Sequence, residues 1–446
     1  MSPKTDPEVK MYLYKAAHAL LTLIIFFVCW LLYRYEAVVF FVDRFRYNLY
    51  ILGAFAIVLL LFSRTYNAYL FGYSKIRTLV FTQFISQSFA TITVYIGSGL
   101  AWNKWSANPA VFVYMLAGLL VLDCGEAYLG TWLYFRLNKR KRALMIYSGQ
   151  VDLMRMNDMF TPTLRRIYTV EGKICLNGEL DYSLLEGYEA IFAAGIEADV
   201  RNSIAKYCVE HDISGFFMPH IGDILMQGTQ HIQSFNQPMF NLERKRISPE
   251  YELAKRAFDI VMSLCGIAVL SPIMLILAAL IKLDDGGKVI YRQTRLTRHG
   301  REFTIYKFRS MREDAEANGK AVLAADNDPR ITHIGRLMRS CRLDELPQLF
   351  NILKGDMTIV GPRPERPELA EEIYETLPEF KLRLQVKAGL TGYAQVYGKY
   401  NTENYEKLEF DLLYINKMSV RTDLKLMFAT FGILFKKEST EGVKRQ

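Results

Sequence analysis

Four apolar stretches, roughly Tyr12–Leu32, Leu49–Phe62, Leu79–Leu100 and Val111–Phe135, constrain this chain more than anything that follows them. Each extends to about 20 residues, the helix length that crosses a bilayer's hydrocarbon core. Backbone groups find no water there, so such stretches must be helical. The expected arrangement is a bundle of four transmembrane helices over residues 1–138. Loop charge orients it. Lys4, Lys10 and Lys15 accompany the first stretch, Arg64, Lys75 and Arg77 fill the second loop, and Arg136, Lys139, Arg140, Lys141 and Arg142 follow the last. The opposite side carries Arg34, Arg44, Arg46 and Lys104. Both ends of the bundle are therefore expected on the cytoplasmic side. Asp123 and Glu126 lie inside the fourth stretch and are expected to face the bundle interior. Two such carboxylates do not make a transporter.

The remainder reads as globular and basic. A formal charge of +9 suits anionic partners such as lipid headgroups or phosphates. Nucleic acid is not expected, because the basic residues are scattered and no stacking-aromatic module accompanies them. Cys29, Cys124, Cys175, Cys208, Cys265 and Cys341 show neither close pairing nor zinc-like spacing, and read as reduced small residues. The first hydrophobic run is long and lacks a small-residue cleavage site, so no cleavable signal is expected. Residues 139–240 alternate strand and helix patterns: Ala143–Tyr147, Val151–Phe160, Arg166–Val170, Glu189–Ala194, Val200–Glu210 and Ile213–Pro219. Such units predict a small parallel sheet, Rossmann-like in outline. The glycine fingerprint is missing after Ser148-Gly149-Gln150, so a regulatory or assembly role without cofactor is expected.

The third expected domain, 241–446, opens on a different kind of apolar run. Ile260–Ile281 is interrupted only by Ser263, Ser271 and Pro272. Pro272 removes a backbone donor, so the helix should bend or break, and Ser271 can bond the freed carbonyl. Both flanks are basic: Lys255 and Arg256 before, then Lys282, Lys288, Arg292, Arg295 and Arg298 after. A spanning helix would strand one cluster on the wrong side. A helix over 255–283 that dips in and returns leaves both on the cytoplasmic face. Leu424–Phe435 is shorter, precedes Lys436-Lys437, and is expected to lie at the interface.

The chemistry concentrates between these segments. Arg336, Arg339 and Arg342 recur at a spacing that shares one helical face. Asp344-Glu345-Leu-Pro347 then predicts a new helix, since proline favours a first turn. Asp344 could be only an N-cap. It could equally be an ionised nucleophile, because carboxylates attack phosphorus covalently when cations offset the charge. Tyr306-Lys307-Phe308-Arg309 alternates as a half-buried strand would. Pro362 and Pro364 stiffen the backbone around Arg363, which suits a diphosphate clamp.

In this order the segments resemble the bacterial sugar transferases that act as polyprenyl-phosphate hexose-1-phosphate transferases, the monotopic phosphoglycosyl transferases. The resemblance covers about 252 to 437 and rests on Ser271-Pro272, Tyr306–Met311, Asn327–Thr332, Arg339–Leu349, Gly361–Pro364 and Lys387–Gly392. It implies a membrane protein of α plus α/β class: four spans, the middle domain, and an α+β catalytic domain anchored by a re-entrant helix. It implies that Asp344 attacks the β-phosphate of a UDP-sugar, that UMP leaves, and that polyprenyl phosphate then takes the phosphosugar. Glu345 is the second carboxylate of the motif, and Mg²⁺ is implied at Asp344 and Glu345. Lys307, Arg309, Arg339, Arg363 and Lys399 are implied around phosphate and uridine. Two departures stand out: Lys399 where relatives commonly have arginine, which keeps charge and loses the planar fork, and Ala388 where they have proline. A homodimer in the bacterial inner membrane, with its catalytic domain facing the cytoplasm, completes the expectation. The competing reading is an inactive scaffold of a polysaccharide assembly complex; intact Asp344, Glu345 and Arg363 weigh against it.

Overall fold

The computed structural model describes residues 7–33, 45–102, 110–176, 178, 180–232, 239–242, 247–312, 328–398 and 403–434. They fall into two compact units, Met1–Met218 and Pro219–Gln446. Lys4, Arg34, Arg44, Lys104, Asn327, Lys399, Phe435, Lys436 and Lys437, all used above, lie outside the described residues.

The first unit opens with four long helices: α1 (Pro7–Tyr33), α2 (Phe45–Tyr66), α3 (Ile76–Trp102) and α4 (Ala110–Leu137). All four are long and apolar enough to cross a membrane. Phe26, Trp30, Phe55, Leu59, Phe112 and Leu119 fill their shared core, with the Phe26 and Phe55 rings stacked at 3.7 Å. Ile24, Leu60, Val113 and Val121 point outward and stay exposed, as on a membrane protein. Asp123 and Glu126 do face the interior. Gln87 donates to Asp123 Oδ1 (2.8 Å), Gln83 donates to Glu126 Oε2 (2.6 Å), and His18 Nε2 lies 3.4 Å from Asp123. Buried carboxylates need such partners, and the amides supply them.

Four parallel strands follow, β1 (Lys141–Tyr147), β2 (Tyr168–Cys175), β3 (Ala190–Ala194) and β4 (Ser214–Phe217), in spatial order β2-β1-β3-β4. Between them run α5 (Gln150–Met159), the single turn α6 (Leu164–Ile167) and α7 (Ala198–Glu210). All five positions of β3 are buried, the pattern of a central strand covered on both faces. The stretch expected to be extended from Arg166 begins as α6, and the strand starts two residues later.

In the second unit α8 (Ile221–Gln227) and the ribbon β5 (Gln230–Ile232) with β6 (Met239–Asn241) lead to α9 (Pro249–Asp285). Ser248 caps α9 by accepting from the Tyr251 N–H, Pro249 occupies its first turn, and Gly286 ends it at φ 74°. This helix has 37 residues, about 55 Å at 1.5 Å per residue. The expected break is absent: helical conformation continues through Pro272. The reason is local. Pro272 cannot donate to the Ala268 carbonyl four residues back, and the Ser271 hydroxyl donates to that oxygen instead, at 2.9 Å.

Beyond α9 come an antiparallel hairpin, β7 (Ile290–Leu296) with β8 (Glu302–Phe308), then α10 (His333–Ser340) and α11 (Gln348–Lys354). β9 (Thr358–Val360), α12 (Pro367–Thr376), β10 (Gly389–Thr391), α13 (Tyr393–Tyr397), α14 (Asn404–Asn416) and α15 (Val420–Leu434) complete the unit, with β9 and β10 parallel. One core unites Phe303, Ile305, Met357, Phe380, Leu408 and Leu412. Leu426 and Met427 of α15 belong to it, so the segment expected at an interface is partly a core helix. Composition alone could not separate these, because both need one apolar face.

Candidate active site

Three chain segments converge on two adjacent carboxylates. β8 delivers Lys307. Asn351 of α11, fully buried, fixes that strand by accepting from the Tyr306 N–H (2.9 Å) and donating to the Thr304 carbonyl (2.7 Å). An asparagine inside a helix is disfavoured in isolation, and here its amide doubles as a strand partner. Because α11 begins just after Asp344 and Glu345, this clamp also sets Lys307 against them.

Those carboxylates sit in a 3₁₀ turn, Leu343–Glu345, where the sequence predicted the start of an α-helix. The cause lies in Arg342, which adopts the left-handed conformation (φ 54°) and stops α10 from continuing. Arg342 thus leaves the helical face that Arg336 and Arg339 share. It is instead partly buried near Glu345, and its guanidinium acts on that carboxylate. The α-helix starts after Pro347 rather than before it.

Arg363 arrives from the third segment. The Gly361 N–H bonds the Thr391 carbonyl (2.8 Å), and glycines are required where the two loops touch: a Cβ on Gly389 would collide with Gly361 backbone. Behind the loop, Arg383 donates to the Arg363 carbonyl (2.8 Å) and Arg295 to the Pro364 carbonyl (3.1 Å). Arg383 is held in turn by Asp411 at 2.7 Å and Glu365 at 3.3 Å. Stiffness at Arg363 therefore comes from the buried Arg383 and half-buried Arg295 guanidiniums as well as from its flanking prolines.

Glu345 Oε1 accepts from Lys307 Nζ at 2.9 Å and from Arg363 Nη2 at 3.0 Å. Burial pushes its carboxyl up, but Lys307 and Arg363 outweigh that and hold it below the usual range. Asp344 differs. Burial, then the Glu345 charge, push its carboxyl up, and Lys307 and Arg339 offset part of the rise. Among the described residues no neighbouring side chain hydrogen-bonds Asp344. One carboxylate is locked between cations, while the other stays uncommitted beside them.

Of the residues singled out in the sequence, Lys307, Glu345 and Arg363 touch, and Asp344 and Arg339 stand within electrostatic reach of them. The Arg309 guanidinium lies so close to Gly287 that a Cβ there would not fit. Asn351, Arg383 and Asp411 were not foreseen, and Arg295 was read only as part of a basic flank. The only signal for Asn351 was its place two residues after the Arg339–Leu349 motif, and Arg383 and Asp411 read as single charges.

A model of the bacterial sugar transferase family matches residues 250–437. A UDP-N-acetylgalactosamine-undecaprenyl-phosphate N-acetylgalactosaminephosphotransferase of Aeromonas hydrophila is 41% identical over 246 residues, 54% of this chain and 58% of that protein. A UDP-glucose:undecaprenyl-phosphate glucose-1-phosphate transferase of Escherichia coli (strain K12) is 39% identical over 211 residues, 46% of this chain and 43% of that protein. The chain thus spans about half the length of these two relatives. An undecaprenyl-phosphate galactose phosphotransferase of Salmonella typhimurium is 37% identical over 394 residues, 79% of this chain and 81% of that protein.

Proposed function

Because the chain belongs to the bacterial sugar transferase family, we propose that it moves a hexose 1-phosphate from a UDP-sugar to undecaprenyl phosphate, releasing UMP. Such a transfer is a first step of polysaccharide assembly on a lipid carrier. The observation that carries this reading is the pairing of a clamped Glu345 with an uncommitted Asp344 under Lys307, Arg339 and Arg363.

An oxygen of Asp344 attacks the β-phosphorus of the UDP-sugar. The bond from that phosphorus to the bridging oxygen breaks, UMP departs, and the phosphosugar remains on Asp344 as an acyl phosphate. An oxygen of undecaprenyl phosphate then attacks the same phosphorus. The carboxylate is restored and undecaprenyl diphosphate sugar leaves. Lys307 and Arg363 carry the positive charge that lets two anions meet, and Glu345 keeps both cations in place. Mg²⁺ suits these donors, because it binds through one or two carboxylates together with phosphate oxygens. Asp344 would hold it, with Glu345 Oε2, which lies outside the Lys307 and Arg363 bonds. When bound, it would neutralise charge on the diphosphate.

Relatives named for N-acetylgalactosamine, glucose and galactose all match, so likeness does not select the sugar. Donors are best compared directly: UDP-glucose, UDP-galactose and the UDP-N-acetylhexosamines, each with undecaprenyl phosphate and Mg²⁺, read by UMP release. One donor should turn over well above the rest. Silence with every donor would reject the reading.

The proposed setting is the bacterial inner membrane, with the catalytic unit on the cytoplasmic face and the protein as a homodimer. Although its helical conformation is continuous, α9 would enter and return by bending at Ser271-Pro272, which keeps Lys255 and Lys282 on one side. Pro272→Ala restores the missing donor and is expected to favour a straight span. Cysteines placed after Ile281 would then become partly accessible to a periplasmic thiol reagent; unchanged labelling would count against re-entry.

A further inference from the structure

An open pocket lies against the first turns of α9. Its charged lining comprises Lys255, Arg256, Arg298 and Lys387 with Glu252 and Asp259, four cations to two carboxylates. None of Lys307, Arg339, Asp344, Glu345 and Arg363 contributes to it. Most of these charges are already engaged. Lys255 pairs with Asp423 at 2.6 Å, Arg256 donates to the Ile352 and Leu353 carbonyls (both 2.7 Å), and Asp259 accepts from the Ile359 N–H at 3.0 Å. Arg298 Nη1 takes Glu252 at 2.7 Å.

One cation remains. Among the described residues no hydrogen bond or ion pair reaches the half-buried Lys387 ammonium, which lines the pocket together with the Arg256 and Arg298 guanidiniums. A cation without a partner beside two others is matched by an oxyanion. Burial, then the neighbouring Arg256, also push the Lys387 ammonium down, and Asp259 and Glu252 offset part of this. The position narrows the anion further. Asp259 lies in the lining, and the exposed apolar side chains Val261, Met262 and Leu264 begin two residues later on the same helix. A helix that becomes apolar there puts the cavity at headgroup depth.

We infer that this cavity seats the phosphate of an anionic membrane lipid, apart from the cluster around Asp344. The inference rests on the apolar part of α9 lying in the bilayer, and not on any chemistry at Asp344. Thr358 and Val360 of β9 line the cavity, and so do Val386 and Lys387 just before β10. A seated phosphate would therefore steady the strand pair from which the Arg363 loop departs.

The test measures binding without turnover. Full-length protein in a neutral detergent is titrated with radiolabelled phosphatidylglycerol, phosphatidylcholine or inorganic phosphate, and retained label is counted. Phosphatidylglycerol should bind at least about ten-fold more tightly than phosphatidylcholine, the worth of a charge-assisted hydrogen bond. Lys387→Gln should remove most of that preference, and Lys387→Arg should keep it. Equal retention of the two lipids, or a preference untouched by Lys387→Gln, overturns the inference. So does inorganic phosphate that binds as tightly as the lipid, since the source would then be soluble. Failed transfer beside intact lipid selectivity would reject the catalytic reading alone.

Discussion

Asp344→Asn is expected to lower transfer by at least about 10⁴-fold while leaving the fold intact. The substitution keeps volume and removes the only feature the chemistry needs, an anionic oxygen. Neighbours are little disturbed, because no side chain among the described residues depends on Asp344 for a hydrogen bond. Glu345 cannot stand in. Its Oε1 is held by Lys307 and Arg363, and those cations stabilise its charge and so blunt it as a nucleophile. UMP release should vanish, and so should the mass increment of a phosphosugar on the intact protein incubated with donor alone. An adduct of unchanged yield in Asp344→Asn would move the nucleophile elsewhere. The pH profile offers an independent reading. Burial and the Glu345 charge raise the Asp344 pKa, so the reactive form is lost as pH falls through that raised value. Activity of the wild type should decline on the acid side before an ordinary carboxylate would titrate.

How much of this was legible in sequence follows from the range of each interaction. Helices α1 to α4 were readable because apolar length is local, and the alternation of strands and helices from Lys141 to Phe217 follows local period. Local prolines and charges left Asp344 open between cap and nucleophile, and the order of motifs that carries the resemblance singled out Asp344, Glu345 and Arg363 together. At Arg342, spacing suggested a continuing helix, while a single left-handed residue ended it. Pro272 suggested an interruption, and one hydroxyl three residues from Ala268 filled the gap. Arg383, Arg295 and Asn351 act across separations that no window spans, so their roles appear only when the chain is folded.

Arg383→Met should produce the largest loss of stability, about 3–5 kcal/mol, since it strips a buried carboxylate of its counter-ion. Arg383 and Asp411 are 3% and 1% exposed, and the guanidinium also holds Glu365 and the Arg363 carbonyl. Burial pushes the Asp411 carboxyl up to about 6 even with Arg383 against it. A carboxyl raised on folding binds protons more readily in the native state than in the unfolded one. Stability is then fullest below the unfolded value and is lost as pH rises to the folded value. In the wild type that loss is complete soon after pH 6. Without the guanidinium the folded value climbs further, so the variant should keep losing stability from pH 6 to pH 8 while the wild type does not. Thermal unfolding in detergent across that range measures the difference. A gap between variant and wild type that is constant with pH would mean Asp411 is not the group left exposed to the low dielectric. Transfer offers the second readout: at pH 6, where the variant is most stable, a looser Arg363 loop should still raise KM for the donor several-fold, which a loss of folded protein alone would not do.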